Sequence, residues 1–216
     1  MSSLTMMPMS LEEIAQAVQG RLIAGTAAVN TPVATSAFTD SRQIVEGSVF
    51  VAIAGERVDG HDYVPHVGAQ GAVAAIVDHE IADAGVPQIV VEDTVLALGT
   101  LAKHNIERRR ALGTPFTVVG ITGSVGKTTT KDLMKALLSH MGPTVAPVGS
   151  FNNEIGLPLT SLKVNAETRF LVAEMGANHV GEIANLTSLV PPDIAVVLKV
   201  GVAHLGEFGS AERKIG

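Results

Sequence analysis

The segment that most constrains the fold is a glycine-rich turn between an apolar run and a helical pattern, FTVVGITGSVGKTTT at residues 116–130. Gly123 and Gly126 allow backbone N–H groups to converge, and the helix that follows adds positive potential at its N-terminus. Lys127 supplies a mobile charge, and the Thr128 hydroxyl suits Mg²⁺. The pattern predicts a strand, a phosphate loop and a helix, and therefore a site for a nucleotide triphosphate.

The match is to the short core G-x-x-G-K-T, because Ile121 stands where the longer Walker pattern has a glycine. An ordinary glycine turn that caps a helix is the alternative. The strand pattern before the turn and the helix pattern after it favour the phosphate loop. The predicted nucleotide-binding residues are Gly123, Ser124, Gly126, Lys127, Thr128 and Thr129.

Composition excludes several classes of function. The chain has 216 residues, 46% of them hydrophobic, which is enough for two modest domains. Its net charge of −6 and scattered basic residues argue against a nucleic-acid surface, and the cluster Arg108–Arg110 is expected to be a solvated helix end. The absence of cysteine excludes disulfides and thiolate sites and permits a reducing cytoplasm. With no signal peptide and no apolar run of about 18 residues, we expect a soluble cytoplasmic protein.

Strands and helices alternate in the pattern before the loop. Ser10 and Glu13 have the spacing of a capping box that opens a helix, which Gly20 ends. The remaining predicted elements are strands at 37–42, 48–53, 72–77 and 88–91, a helix ended by Gly71 and a helix capped by Thr94. The polar turn GERVDGHD at 55–62 fits a ligand site and a solvated Asp-Gly turn equally well. The pattern indicates an α/β layer.

Leu112–Pro115 interrupts this pattern and gives the predicted domain boundary, with domains at 1–114 and 115–216. The second domain is predicted to continue with helices at 131–141, 155–162 and 181–189 and strands at 144–146, 169–174 and 194–198. The predicted class is α/β, with a small N-terminal domain followed by an incomplete P-loop-type parallel sheet.

Two polar residues follow predicted strands of the second domain. Glu174 ends the apolar strand FLVAE, and His204 follows the next strand. Open parallel sheets bind ligands at the carboxyl ends of their strands, which is the edge that carries the phosphate loop. Thr128 and Glu174 would supply the hard oxygen ligands that a metal needs in phosphoryl transfer. A surface carboxylate and an ordinary loop histidine are the alternatives.

These residues resemble the bacterial Mur ligases of peptidoglycan precursor synthesis. The run TGSVGKTT at 122–129 is similar to their ATP loop. SFNNEIGLP at 150–158, EMGAN at 174–178 and AHL at 203–205 resemble the branch that joins D-alanyl-D-alanine to UDP-N-acetylmuramoyl-tripeptide. Asp40-Ser41-Arg42 and the turn at 59–62 are similar to the UDP-substrate domain of that branch and of the ligase that adds the third amino acid. The likeness covers essentially the whole chain.

The resemblance implies an ATP-dependent ligase of cell-wall biogenesis that forms an amide bond through an acyl phosphate. ATP and Mg²⁺ are the implied cofactors, and Lys127, Glu174 and His204 are the implied catalytic residues. Thr128 and Glu174 would hold one metal ion, and Glu174 with His204 a second.

The resemblance also implies substrate contacts. Ser41 and Arg42 would contact the UDP group, with a solvated arginine at a strand end as the alternative. Asn152 and Asn153 would lie near the muramoyl-peptide or the phosphates, with a helix cap as the alternative.

Mur ligases have three domains, and the sequence stops inside the second. We therefore expect a fragment that is inactive as a ligase and prone to self-association through the open edge of its second sheet. Other possibilities remain open: a ligase that adds the third residue, a ligase of the folylpolyglutamate type, or a non-catalytic nucleotide-binding module. The sequence does not distinguish lysine from diaminopimelate in the tripeptide.

Overall fold

The computed structural model describes residues 5–23 and 33–199. The chain divides into two compact units, Ser3–Asn105 and Ile106–Gly216 with Met1–Ser2. The division falls inside the long helix Thr94–Ala111, ahead of the predicted domain boundary near 114.

In the first unit, residues 5–23 and 33–105 form a five-stranded sheet and a separate two-stranded ribbon. Its elements are β1 (Met9–Ser10), α1 (Leu11–Ala17), β2 (Arg21–Ile23), β3 (Val33–Ala34), β4 (Ser36–Phe38), β5 (Ser48–Val51), α2 (Val64–Val67), β6 (Ala72–Val77), β7 (Gln88–Val90) and α3 (Thr94–Ala111), which continues into the second unit. The sheet order is β2-β7-β6-β5-β4, with β4 to β7 parallel and β2 antiparallel to β7. The β1–β3 pair forms the antiparallel ribbon.

Short polar side chains set the ends of several elements in this unit. Ser10 caps α1 as predicted, because its hydroxyl accepts a hydrogen bond from Glu13 N at 3.1 Å. The predicted strand at 37–42 was too long: β4 ends at Phe38, and Asp40 caps a 3₁₀ turn at Ser41–Gln43. The prediction of Thr94 as the N-cap of α3 was also wrong. Asp93 is the cap, because its side chain accepts hydrogen bonds from the N–H groups of Val95 and Leu96.

Up to residue 199, the second unit consists of a four-stranded, wholly parallel sheet with helices on both faces. Its elements are β8 (Thr117–Thr122), α4 (Lys127–Ser139), β9 (Thr144–Val145), α5 (Gly156–Ser161), β10 (Phe170–Glu174), α6 (Glu182–Leu189) and β11 (Ile194–Val197). The strand order is β11-β8-β10-β9. The predicted α/β class with a parallel sheet is therefore confirmed.

The two faces of this sheet bury alternate residues of the same strands. Val118 and Leu171 pack with α5 and α6 residues, whereas Val119 and Val172 pack beside Met134 on α4. Alternation with period two places successive side chains on opposite faces, and both faces are apolar because both are covered. The phosphate loop leaves from β8, which is bonded to a neighbouring strand on each side.

The prediction that the arginine cluster at the end of α3 is a solvated helix end is wrong for Arg109. Arg109 is buried, and its guanidinium donates to Thr168 O, Thr114 Oγ1 and Pro115 O. Burial lowers the pKa of Arg109. The side chain therefore anchors the segment that enters β8.

Within residues 5–23 and 33–199, no helix combines the length and the apolar character needed to cross a lipid bilayer.

Candidate functional site

The phosphate loop has a backbone that requires glycine at two positions. Gly123 has a φ of 143° and Gly126 a φ of 88°, values that side chains with a Cβ rarely adopt. A Cβ on Gly123 would also lie 2.8 Å from the Cβ of Leu198. Gly126 directly precedes α4, so the loop ends at the exposed N–H groups of a helix N-terminus. This arrangement suits an anion.

Lys127 begins α4, and its side chain turns back across the loop. Its Nζ donates a hydrogen bond to Gly123 O at 2.7 Å. The ammonium therefore lies over the turn at which phosphate oxygens would bind, as a mobile point charge.

Glu174 lies beside the loop because β10 pairs with β8 in register, with Glu174 opposite Ile121. Its side chain is 1% exposed. The Thr128 hydroxyl donates to Oε1 at 3.3 Å, and Asn152 Nδ2 donates to the same oxygen at 2.9 Å. Among the described residues, the buried Oε2 has no hydrogen-bond partner. A buried carboxylate oxygen without a partner is costly, so it indicates a site that a cation completes.

Two cavities adjoin these residues. One, of about 360 Å³, is lined by the loop, by Asn152–Glu154 and by residues 176–179 with Glu182. The other, of about 290 Å³, is lined by Ser124–Thr129, Ser150, Asn152 and Glu174. All six predicted nucleotide-binding residues border at least one of them. Glu154 and Glu182 line the larger cavity and Glu174 the smaller one, beside a loop suited to anions, and a divalent cation would reconcile these charges.

The two neighbouring asparagines have different partners. Asn153 Oδ1 accepts Gly156 N–H at 2.9 Å, which is the helix-cap alternative, and the residue also lines the larger cavity. Asn152 instead holds Glu174, and its side chain packs against Gly176, where an added Cβ would lie 2.7 Å from Asn152 Cγ. Asn152 is thus placed to orient the carboxylate.

Sequence reasoning missed Glu182 and Lys131. Glu182 accepts the N–H groups of Asn178 and His179 at 2.6 and 3.2 Å, and these bonds lower its pKa, Asn178 contributing most. It therefore fixes the turn that lines the larger cavity. The signal in the sequence was an acidic side chain in the first turn of a helix, although the N–H groups that it accepts precede that helix. Lys131 is 2% exposed, and nothing in its helical pattern distinguishes it from the solvated Lys135.

In the first unit, Ser41 and Arg42 lie in the 3₁₀ turn after β4. Arg42 is exposed, and its guanidinium makes a bidentate pair with Asp40 through Nε at 2.9 Å and Nη2 at 2.7 Å. These bonds, followed by the one from Arg42 N–H, lower the pKa of Asp40 to about 2. Asp40 therefore fixes the orientation of the guanidinium.

The predicted polar turn of the first unit contains the buried His61, which is 4% exposed. Its Nδ1 lies 2.6 Å from Asp59 Oδ1, and its Nε2 accepts Asp78 N–H at 3.2 Å. Asp78 and His79 complete a group of possible metal ligands. The Nε2 lone pair is already directed at the end of β6, which supports the structural interpretation of this turn. His204, the remaining predicted site residue, lies outside the described residues.

Comparison with known families gives matches in both units. A profile of the Mur ligase family catalytic domain matches residues 35–106, and one of the Mur ligase middle domain matches residues 121–215.

Individual relatives cover nearly all of the chain. It is 41% identical over 228 residues to the UDP-N-acetylmuramoyl-tripeptide–D-alanyl-D-alanine ligase of Mycobacterium tuberculosis H37Rv, covering 96% of the chain and 44% of that protein. The ligase of the same name from Escherichia coli K12 is 43% identical over 172 residues, covering 80% of the chain and 37% of that protein. The chain thus spans less than half the length of these relatives.

Solved structures agree. MurF from Acinetobacter baumannii superimposes with a TM-score of 0.82 at 39% identity, covering 97% of the chain and 45% of that structure. MurF ligase from Thermotoga maritima in complex with ADP gives a TM-score of 0.71 at 39% identity, and the match covers 83% of the chain and 41% of that structure. Because profiles, relatives and structures of one family match along nearly the whole chain, we conclude that it belongs to the Mur ligase family.

Proposed function

We propose that this chain is part of an ATP-dependent ligase that joins D-alanyl-D-alanine to UDP-N-acetylmuramoyl-tripeptide. The observation that carries the proposal is Oε2 of the buried Glu174, which has no hydrogen-bond partner within residues 5–23 and 33–199 and lies beside Thr128 of the phosphate loop. An unsatisfied carboxylate next to a phosphate loop is what a metal-dependent phosphoryl transfer needs. The similar ligases named above, and the ADP complex of one of them, support the choice of substrates and nucleotide.

In this proposal the loop binds the triphosphate of ATP. The N–H groups at the start of α4 and the Lys127 ammonium neutralise the transferring phosphoryl group. The Lys127 ammonium exchanges its bond to Gly123 O for phosphate oxygens, and the Ser124 and Thr129 segments enclose the phosphates. The γ-phosphoryl group passes to the terminal carboxylate of the tripeptide and ADP leaves; the D-alanyl-D-alanine amine then attacks the acyl phosphate, and phosphate and a proton are released as the amide forms.

Mg²⁺ fits the residues present, and Thr128 and Glu174 would hold it. When bound, it would supply positive charge that stabilises the transferring phosphoryl group. Asn152 occupies Oε1 of Glu174 and so leaves Oε2 for the ion. His204 is proposed as a further ligand on the family pattern.

The substrate contacts are part of the same proposal. Arg42, held by Asp40, presents a fixed cation suited to the pyrophosphate of a UDP group, and Ser41 lies next to it. Asn153, at the wall of the larger cavity, is proposed to contact the muramoyl-peptide. Because ATP is an intracellular co-substrate, we place the reaction in the cytoplasm.

The test is phosphate release from ATP by the full-length protein. We expect release only when both UDP-N-acetylmuramoyl-tripeptide and D-alanyl-D-alanine are present. Parallel reactions with single amino acids or with folate substrates report the other ligase types, and tripeptides ending in lysine or diaminopimelate report the third residue. Phosphate release with either alternative substrate, or with none, would overturn the assignment.

The matched variants are Lys127→Met and Lys135→Met, on the same helix. We expect Lys127→Met to lower turnover by at least about a hundredfold, because one charge on the transferring group is lost. Lys135 is exposed, so its variant should keep the turnover of the parent. Equal turnover in the two variants would remove Lys127 from the mechanism.

A further inference from the structure

A buried lysine on the phosphate-loop helix has no part in the mechanism above. Lys131 lies one turn after Lys127, is 2% exposed and has three polar partners. Its Nζ donates to Pro147 O at 3.1 Å and to Gly149 O at 3.0 Å, and it pairs with Asp132 Oδ1 at 2.8 Å. The ammonium is therefore held by two hydrogen bonds and one ion pair.

The two carbonyls belong to the segment that leads from β9 to Asn152. Val148, Gly149, Ser150 and Phe151 are all exposed, so apolar burial contributes little to fixing their path. Lys131 holds the start of this segment. At its other end, Asn152 O accepts Gly176 N–H at 2.8 Å, and Asn152 Nδ2 donates to Glu174.

A buried ammonium is an expensive way to fill space, because desolvation of the charge must be offset by its hydrogen bonds. An apolar side chain would pack the same helix position at no such cost. The buried charge is explained if its role is to fix the backbone to which it is hydrogen bonded. That backbone is the pair of carbonyls, of Pro147 and Gly149, that precede Asn152. Hydrogen bonds to a charged donor are the stronger kind and fix direction as well as distance.

We propose that Lys131 is a positioning residue for the metal-binding carboxylate: it fixes residues 147–152 so that Asn152 occupies Oε1 of Glu174 and leaves Oε2 for the cation. The inference depends on the proposed function, since it assigns Lys131 a role in cation binding at that site. It adds a link from the helix that binds phosphate to the segment that orients Glu174.

The experiment measures Mn²⁺ affinity of the full-length protein, with a non-hydrolysable ATP analogue, from the EPR signal of free Mn²⁺. The variants are Lys131→Met, Asn152→Ala, the double variant and the control Lys135→Met. We expect each of the first two to weaken Mn²⁺ binding about tenfold, as is typical of residues that support metal ligands. The double variant should be no weaker than Asn152→Ala alone, because Lys131 acts through Asn152. Lys135→Met should match the parent.

Lys131→Gln is a second variant for the case in which Lys131→Met folds poorly. It removes the buried charge, and its amide is one bond shorter than the lysine stem, so it cannot reach both carbonyls. We expect the same loss of Mn²⁺ affinity. The melting temperature of each variant is measured in parallel, and affinities are measured well below the lowest one, so that unfolded protein does not contribute.

Two results would overturn the inference. One is an unchanged Mn²⁺ affinity in folded Lys131→Met or Lys131→Gln protein. The other is a double variant whose loss is the product of the single losses, because Lys131 would then act independently of Asn152. Glu174→Gln separates this inference from the proposed function. If that variant keeps parental Mn²⁺ affinity, the metal site itself is wrong; if it loses affinity while Lys131→Met does not, only the role of Lys131 is wrong.

Discussion

His61 in the first unit and Glu174 in the second are both buried polar residues close to the carboxyl end of a parallel strand. His61 lies against the end of β6 with both ring nitrogens paired, to Asp59 and to Asp78 N–H. Glu174 ends β10 with one oxygen doubly paired and the other, within the described structure, unpaired. A buried polar group whose hydrogen bonds are all made within the protein stabilises the fold. A buried polar atom without a partner is instead available to bind a ligand. The comparison separates structural from functional polar residues more clearly than burial does.

The largest effect expected from this comparison is on cation binding at Glu174. Glu174→Gln keeps the size and the Asn152 contact region but removes the charge. We expect Mn²⁺ affinity to fall by more than the tenfold to hundredfold loss typical of residues that only support metal ligands. Because the variant removes a buried, half-paired carboxylate, its free energy of unfolding without metal should stay equal or rise.

Metal titration and urea unfolding of the same samples measure both quantities. A variant that binds Mn²⁺ normally and unfolds more easily would show that Glu174 is a structural residue like His61.

The next effect is on stability in the first unit. His61→Ala leaves Asp78 N–H without its partner and removes a buried ring, so the free energy of unfolding should fall by about 2 kcal/mol. Mn²⁺ affinity should be unchanged, since Glu174 and Thr128 are untouched. His66→Ala is the control, because His66 is exposed and its loss should stay within about 0.5 kcal/mol. A stable His61→Ala protein would contradict the structural assignment.

The smallest effect is electrostatic and local. Arg42→Gln should raise the pKa of Asp40 from about 2 toward 3.8, because its charged donors are lost. Since the folded pKa lies below the unfolded value, the pair stabilises the fold above about pH 4 and loses this contribution as pH falls toward 2. Carboxyl ¹³C shifts of parent and variant give both midpoints. An unchanged midpoint would show that the Arg42 bonds do not form in solution.

The sequence predicted the parallel sheet, the glycine turn between β8 and α4, and the position of Glu174 at the end of a strand, because periodicity and glycine spacing are local signals. It did not predict the hydrogen bond between Asn152 and Glu174, which are 22 residues apart in sequence, or that between Lys131 and Gly149, which are 18 residues apart. Such pairs depend on strand order and register. The predicted ends of β4 and α3 were wrong for a related reason. Asp40 and Asp93 compete for backbone N–H groups, and the pattern of apolar residues does not report that competition.

The hydrogen bond from Lys127 to Gly123 O also has a consequence for inhibitor discovery. A ligand that enters the loop must break this internal hydrogen bond before it can interact with the Lys127 ammonium. The free energy of breaking that bond lowers the affinity of every ligand. A fragment with a single weak anion recovers little more than it displaces, whereas a diphosphate or a bidentate mimic gains the ammonium and several N–H groups at once. Screens of small monoanions are therefore expected to miss this site, and linked anions are the better starting compounds.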